Sequence, residues 1–467
     1  MPFVGRAPEL AFLSELHDSD RAELYVLYGR RRVGKTELLR EFLRDRAHVY
    51  FQAAEVSESD NRRHFAAAMA EGLGEPLLAT ARFDDWETPL RELARRAMGH
   101  RLVVVLDEFP YLCGSAPGLP SLLQRFWDHD ARDTRLLLVL CGSAVSSMEN
   151  EVLAERSPLF GRCTAQQELV PFGYREAAQF VPRYGLEDRL RVFGILGGMP
   201  MYLEQFGDGM SLARNVQAHI LRPQALLYEE PTHLLRSELR DPRTYHSILN
   251  AIASGLTRSS EIAQRAGTAV TAVGQYLSAL QELRLVRRVV SAADRAPGKR
   301  SRGRYVLDDH FLRFWYRFVL PNRSLLEVGQ GRRVWEERIA PHLEEYMGRA
   351  FEGICAQYVR HYGRERLPSL PAELPAPFWH KDVEIDLVWR SDDGIVSCAE
   401  CKWTRGPLHP GHLHDLQQKA AALPPDWQRG LRHVLFCRGG FTEALRRQED
   451  GDRLMLIGLE DLFAAAR

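Results

Sequence analysis

The first 180 residues alternate short apolar runs with amphipathic stretches. Leu24–Tyr28, His48–Phe51, Leu102–Leu106 and Leu136–Leu140 are such runs, and each reads as a buried strand. Helical spacing between them predicts a parallel α/β sheet. The pattern changes afterwards. Residues 185–235 read as helical, with a turn at Gly197-Gly198-Met199-Pro200. Three short helical patterns follow, Tyr245–Ser254, Ser259–Ala266 and Val270–Leu283, and then a Val-rich strand, Val286–Val290. The polar segment Ala292–Arg304 reads as a loop, Tyr305–Leu307 as its return strand and Phe311–Val319 as an apolar helix. A long helix is expected over Val334–Tyr362. The Pro-rich passage Pro368–Pro377 leads to two strands and a further α/β pattern. The expected fold is therefore α/β and multidomain, divided at 1–180, 181–238, 239–330 and 331–467.

A chain of 467 residues, 45% of them hydrophobic, can bury sizeable cores. Lys+Arg and Asp+Glu both number 62, so net charge points to no polyanionic partner, and local charge must carry that argument. No run of uncharged apolar residues is long enough to span a bilayer. Met1-Pro-Phe-Val-Gly-Arg6 lacks a signal-peptide layout. Seven scattered cysteines suit a reducing cytosol, so a cytoplasmic location is expected. Cys398 and Cys401 read as lying on one strand, with their sulfurs on opposite faces, which argues against a shared zinc ion.

Gly29-Arg-Arg-Arg-Val-Gly-Lys-Thr36 fits G-x-x-x-x-G-K-[ST], between a strand pattern and a helix over Glu37–Leu43. That context makes it a phosphate-binding loop. Backbone N–H groups at such a helix start close around a phosphate. The expected nucleotide set is Gly29, Arg32, Val33, Gly34, Lys35, Thr36 and Glu37. Lys35 would place its charge on the β/γ-phosphates of ATP, and Thr36 would ligate Mg²⁺.

The apolar run Leu102–Leu106 ends in Asp107-Glu108. Asp107 is suited to hold Mg²⁺, and Glu108 to polarise the attacking water. The run Leu136–Leu140 ends in Cys141-Gly142-Ser143, which puts Ser143 where a polar sensor of the γ-phosphate belongs. Arg156 and Arg162 follow, and either could be offered to a neighbouring copy as an arginine finger.

Phe3-Val-Gly-Arg6, Tyr28–Thr36, Leu106-Asp-Glu-Phe-Pro110, Cys141-Gly-Ser143 and Pro158-Leu-Phe-Gly-Arg162 occur in this order. Together they resemble the archaeal-type AAA+ ATPases, which are also common in bacteria. Gly197-Gly-Met-Pro-Met-Tyr-Leu203 resembles that family's lid motif. The resemblance covers about residues 1–320. It implies ATP hydrolysis, Arg6 near the nucleotide base, and Arg162 as the better finger; an arginine offered in trans could build a homo-oligomeric ring. Cys141 and Met199 depart from the more usual Thr and Ile or Val.

The three helical patterns over 245–283 have helix-turn-helix spacing, and the strand pair after them reads as a wing. That wing carries Arg295, Lys299, Arg300, Arg302 and Arg304, the densest positive cluster in the chain. Such a cluster could contact DNA phosphates. A winged helix that packs on the ATPase or binds a protein remains the alternative.

Asp386 lies in the run Val383–Val388, and Glu400-Cys401-Lys402 lies in a second strand pattern over Ile395–Trp403. On a strand, Glu400 and Lys402 share a face. Asp386 and Glu400 could ligate Mg²⁺ or Mn²⁺, Lys402 could serve the chemistry, and Glu352 on the preceding helix could complete the acidic set. Gln417 and Gln418 lie on a helix downstream. The order Glu, Asp, Glu-x-Lys looks like the PD-(D/E)xK nuclease superfamily, over residues 335–467. This implies metal-dependent phosphodiester cleavage. Ile385 stands before Asp386 where the pattern has Pro. The rival expectation is a nucleotide-dependent switch whose C-terminal domain binds DNA or a protein without cutting. A helix-turn-helix transcription regulator is the third.

Overall fold

The computed structural model describes residues 3–143, 145–239, 241–295 and 303–464. They form two compact units, Met1–Pro171 and Phe172–Arg467. The first is built on strands β1 (Glu23–Tyr28), β2 (His48–Gln52), β3 (Leu102–Asp107), β4 (Leu136–Gly142) and β5 (Ala165–Glu168). They lie in the order β2-β3-β4-β1-β5, all parallel. β1, β3 and β4 are apolar along almost their whole length because both faces are covered. β5, Ala-Gln-Gln-Glu, is a part-exposed edge strand without an apolar run, which is why periodicity does not find it. The core gathers Val26, Val104 and Leu138 with Phe51, Phe65 and Trp86. Adjacency of β3, β4 and β1 brings their C-terminal ends together, where ligand sites of open α/β sheets form.

The second unit begins with helices that include α2 (Leu186–Leu196), the first unit having contributed α1 (Lys35–Leu43). Helices α3 (Pro242–Ala253), α4 (Ser259–Ala266) and α5 (Val270–Glu282) then precede an antiparallel pair, β6 (Val286–Val289) and β7 (Arg304–Leu307). The long helix expected over Val334–Tyr362 is interrupted. Helical turns over Gly331–Val334 and Trp335–Ile339 tighten at Ala340–His342, and α6 runs over Leu343–His361. Pro341 has no N–H to continue the ladder, which accounts for the break.

A second sheet closes the unit: β8 (Ala376–His380), β9 (Val383–Arg390), β10 (Val396–Lys402), β11 (Arg432–Cys437) and β12 (Leu454–Gly458), with α7 (Pro410–Ala420) between β10 and β11. Its order is β12-β11-β10-β9-β8. β10, β11 and β12 are parallel, and β9 is antiparallel to β8 and β10. Phe378, Ile385, Cys398 and Leu435 pack with Leu413 and Leu416 of α7. Ala292, in the turn between β6 and β7, is buried in this same core. The Ser291 hydroxyl accepts from the Trp379 N–H at 3.2 Å. Near the far end of the unit, Tyr174 Oη and Arg175 Nε donate to the Leu462 carbonyl, the latter at 2.8 Å. No helix among the described residues is long and apolar enough to cross a membrane.

Candidate active sites

The loop between β1 and α1 turns on glycines. Gly29 has φ 151°, and a Cβ there would lie 2.4 Å from the Leu169 carbonyl oxygen. Gly34, at φ 92°, is the residue from which α1 starts. Both conformations suit only glycine well. Lys35 is buried, and its Nζ donates to the carbonyls of Gly29 at 2.7 Å and Arg30 at 3.1 Å. Burial holds its ammonium below the ordinary value, against the opposing pull of the Glu108 and Asp107 carboxylates. Val33 is fully buried, and Arg32 has φ 71°. Glu37 is solvated and paired with Arg40.

Thr36 Oγ1 donates to Asp107 Oδ2 at 3.1 Å, and Tyr50 Oη donates to the same oxygen. Asp107 Oδ1 accepts the Glu108 N–H at 2.9 Å. Glu108 has φ 53°, a conformation that costs a non-glycine residue and recurs at functional sites. Its Oε2 accepts from Ser143 Oγ at 2.8 Å and from the Ser143 N–H at 3.3 Å. Thr36, Asp107, Glu108 and Ser143, expected from three separate stretches, are thus linked. A hydroxyl and a carboxylate in contact suit a hard cation such as Mg²⁺.

Arg6 is buried. It donates to the Val33 carbonyl at 3.0 Å, the Val170 carbonyl at 2.9 Å and Glu9 at 2.9 Å, so it braces the loop backbone. Arg162 forms a two-pronged pair with Asp128 at 3.0 and 2.9 Å. Arg156 donates to Asn150 at 3.3 Å. Periodicity alone missed Tyr50 and Tyr111, whose hydroxyl accepts from Arg31 at 2.9 Å. Tyr50 could have been found only by knowing that β2 lies beside β3.

In the second sheet, Asp386 Oδ2 accepts the Cys401 N–H at 2.7 Å. Lys402 Nζ lies 2.5 Å from Glu400 Oε1, and Lys419 Nζ donates to both Glu400 oxygens at 2.9 Å. Burial, then the Glu400 charge, pushes the Asp386 carboxyl up to about 6. Burial, then the Asp386 charge, pushes Glu352 on α6 up to about 7. Burial works against the Glu400 charge too, but the hydrogen bonds from Lys402 and Lys419 prevail and hold it below the usual range. Among the described residues no three of His, Cys, Asp and Glu gather closely enough to form a ready-made metal cage. The carboxylates are nonetheless hard oxygen donors of the type that Mg²⁺ or Mn²⁺ takes. Lys419, not Gln417 or Gln418, is the α7 residue that reaches the carboxylates; Gln418 bonds His414 at 2.8 Å.

Arg295 donates to the Leu374 carbonyl. Arg304 donates to Glu384 at 2.7 Å, and its guanidinium lies 4.1 Å from the Trp379 ring centre. Of the four arginines expected to face phosphates, the two that are described therefore engage the β8–β9 edge of the C-terminal sheet. Lys299, Arg300 and Arg302 lie outside the described residues.

Residues 3–206 match the family described as an ATPase domain predominantly from Archaea. Residues 315–420 match a family described as archaeal and bacterial proteins of unknown function. The chain is 31% identical over 404 residues to the uncharacterized protein MJECL04 of Methanocaldococcus jannaschii, covering 86% of this chain and 87% of that one. A 44-residue stretch is 50% identical to the uncharacterized ATP-binding protein MJ0423 of the same organism, covering 9% of this chain and 75% of that one. Among solved structures, the Walker-type ATPase paby2304 of Pyrococcus abyssi matches with a TM-score of 0.52 at 22% identity, over 68% of this chain and 96% of that one. This last likeness shows a shared fold. The chain belongs to the family of MJECL04, with an ATP-binding ATPase domain of the predominantly archaeal type followed by a separate C-terminal sheet domain.

Proposed function

We propose that this ATPase drives DNA processing, with metal-dependent phosphodiester cleavage in its C-terminal domain. The observation that carries the reading is the meeting of Asp386 with the Glu400-Cys401-Lys402 strand, where Asp386 bonds the Cys401 N–H and Lys402 lies against Glu400. In the ATPase domain, Lys35 and the backbone of Gly29 and residues 32–37 hold the phosphates of ATP, with Arg6 bracing the loop. Thr36 and Asp107 would hold Mg²⁺, which when bound neutralises charge on the β/γ-phosphates. Glu108 orients the attacking water, and Ser143 positions Glu108. Arg162, released from Asp128, would reach the γ-phosphate of a neighbouring copy in a homo-oligomeric ring. The proposed division is 1–180 for the core, 181–238 for a helical lid, 239–330 for a winged helix-turn-helix and 331–467 for a PD-(D/E)xK-like domain. Helices α3, α4 and α5 with the β6–β7 pair support the winged-helix reading.

In the C-terminal domain, Asp386 and Glu400, with Glu352, would hold Mg²⁺ or Mn²⁺, which lowers the pKa of bound water and polarises a phosphodiester. Lys402 orients the nucleophile and offsets charge that develops on the phosphate. DNA grip falls to the basic residues between β6 and β7. The test is cleavage of linear, circular, single-stranded and branched DNA with Mg²⁺ or Mn²⁺, with and without ATP, alongside phosphate release. Asp386→Ala and Lys402→Ala should each abolish cutting and leave basal ATP hydrolysis intact. If the wild-type protein cuts no DNA form, the cleavage reading falls.

One observation favours a second reading. Lys402 and Lys419 both clasp Glu400 and neutralise it. A C-terminal domain that binds DNA or a protein under nucleotide control, without cutting, would be compatible with that clasp.

A further inference from the structure

We propose that Trp379 is a stacking platform for an unpaired DNA base beside the C-terminal carboxylates. The domain would therefore take DNA with a single-stranded segment rather than an intact blunt duplex. This rests on the reading of the C-terminal domain as a DNA-processing module.

Trp379 lies on β8, the edge strand of the second sheet. Edge strands usually present charged or small residues to solvent. Here Phe378 turns into the core and is 2% exposed, while the next residue, Trp379, is only half-buried and stands outside that core. Directly across the ladder from Trp379 is Glu384. Glu384 is two residues from Asp386, and its charge also bears on Glu352. The indole therefore stands next to the carboxylate group and not at a remote edge.

A planar cation already covers the ring. The Arg304 guanidinium lies 4.1 Å from the ring centre and is held there by Glu384 at 2.7 Å. The guanidinium thus marks a ring face that a planar, positively polarised group can occupy, and an aromatic face of that kind is also what an unpaired base stacks on. The Arg304 side chain keeps 38% of its surface and Glu384 59%, so the clasp opens to solvent. A base that replaces the guanidinium on the ring would leave Arg304 to pair with a strand phosphate. A paired base inside a duplex has no free face to offer, which confines the contact to single-stranded segments.

The test uses the full chain carrying Asp386→Asn in every arm, so that no cutting intrudes. Fluorescence anisotropy measures binding of a labelled oligonucleotide as a single strand, as a flapped duplex and as a blunt duplex. Trp379→Ala should weaken single-strand and flap binding about tenfold and leave the blunt duplex unchanged, since one base–aromatic stack is worth roughly that factor. Trp379→Phe, which keeps a ring, should recover most of the loss. 2-Aminopurine at the flap junction should be quenched by the parent protein and not by the Trp379→Ala form. If Trp379→Ala binds the flap as tightly as the parent, or loses blunt-duplex binding equally, the platform is overturned while DNA binding stands. If the parent binds no DNA form, the DNA-processing reading falls with it.

Discussion

Glu108→Gln and Ser143→Ala together test how the ATPase site works. Gln keeps the shape of Glu108 and an oxygen that can accept from Ser143, but it cannot take a proton. A positioned general base contributes on the order of 10² to 10⁴ in rate. Glu108→Gln should lower turnover by that range. ATP affinity should hardly change, because Lys35 and the loop backbone are untouched. Ser143 contributes through Glu108. Its hydroxyl bond at 2.8 Å is to a charged acceptor, while its N–H at 3.3 Å remains after truncation. Hydrogen bonds to charged groups are worth about 1.5–3 kcal/mol. With the N–H bond retained, we expect the lower end, roughly a tenfold loss of kcat for Ser143→Ala. Because the serine acts through the carboxylate, the double variant should be no slower than Glu108→Gln alone. Phosphate release gives kcat, and a fluorescent ATP analogue gives affinity. Wild-type turnover in Glu108→Gln, or multiplicative losses in the double variant, would refute the assignment.

Lys35→Ala should remove most hydrolysis and weaken ATP binding, since the β/γ-phosphates lose their positive partner; the same two assays read both. Replacing Lys299, Arg300 and Arg302 with Ala should weaken DNA binding at low salt and flatten the log–log salt dependence by up to roughly 0.9 for each duplex phosphate no longer neutralised; an unchanged slope would move this segment to protein binding. Hydrogen bonding from Arg95, then from Arg96, holds the Glu92 carboxyl down to about 2 against burial. Its folded value lies below the unfolded one, about 4.3, so its contribution is full above that pH and is lost as pH falls towards 2. Glu92→Gln should therefore flatten the acid limb of a stability–pH profile in that window and leave the neutral region little changed, as read by thermal melts.

Local order along the chain made much of the first unit legible. The four apolar runs became β1 to β4: β1, β3 and β4 are continuous because both their faces are buried, and β2 shows in the alternation that buries Val49 and Phe51. Phosphate-loop glycines and the acids ending β3 could be read because their chemistry sits within a few residues. What escaped depends on partners distant in sequence. Tyr50 meets Asp107 only because β2 lies beside β3. Lys419 meets Glu400 only because α7 packs back on β10. The basic segment read as a free wing gave no sign that Ala292 would be buried beside Phe378, or that Arg304 would find Glu384. The break at Pro341 was visible in the sequence, but the strong helical pattern on either side concealed it.

The bonds from Tyr174 and Arg175 to the Leu462 carbonyl join residues 288 and 287 positions apart. Contacts of that separation form late, because a long loop must close before they exist. During synthesis the segment around Tyr174 emerges long before its partner, while the first unit, which ends at Pro171, has all its strands available. The ATPase core can therefore fold while the ribosome is still working. The second unit must wait for the stretch around Leu462, and until then the buried Tyr174 ring and its neighbours Phe193 and Tyr362 lack part of their cover. Nascent chains halted before that point should be more open to proteases after Pro171 than before it.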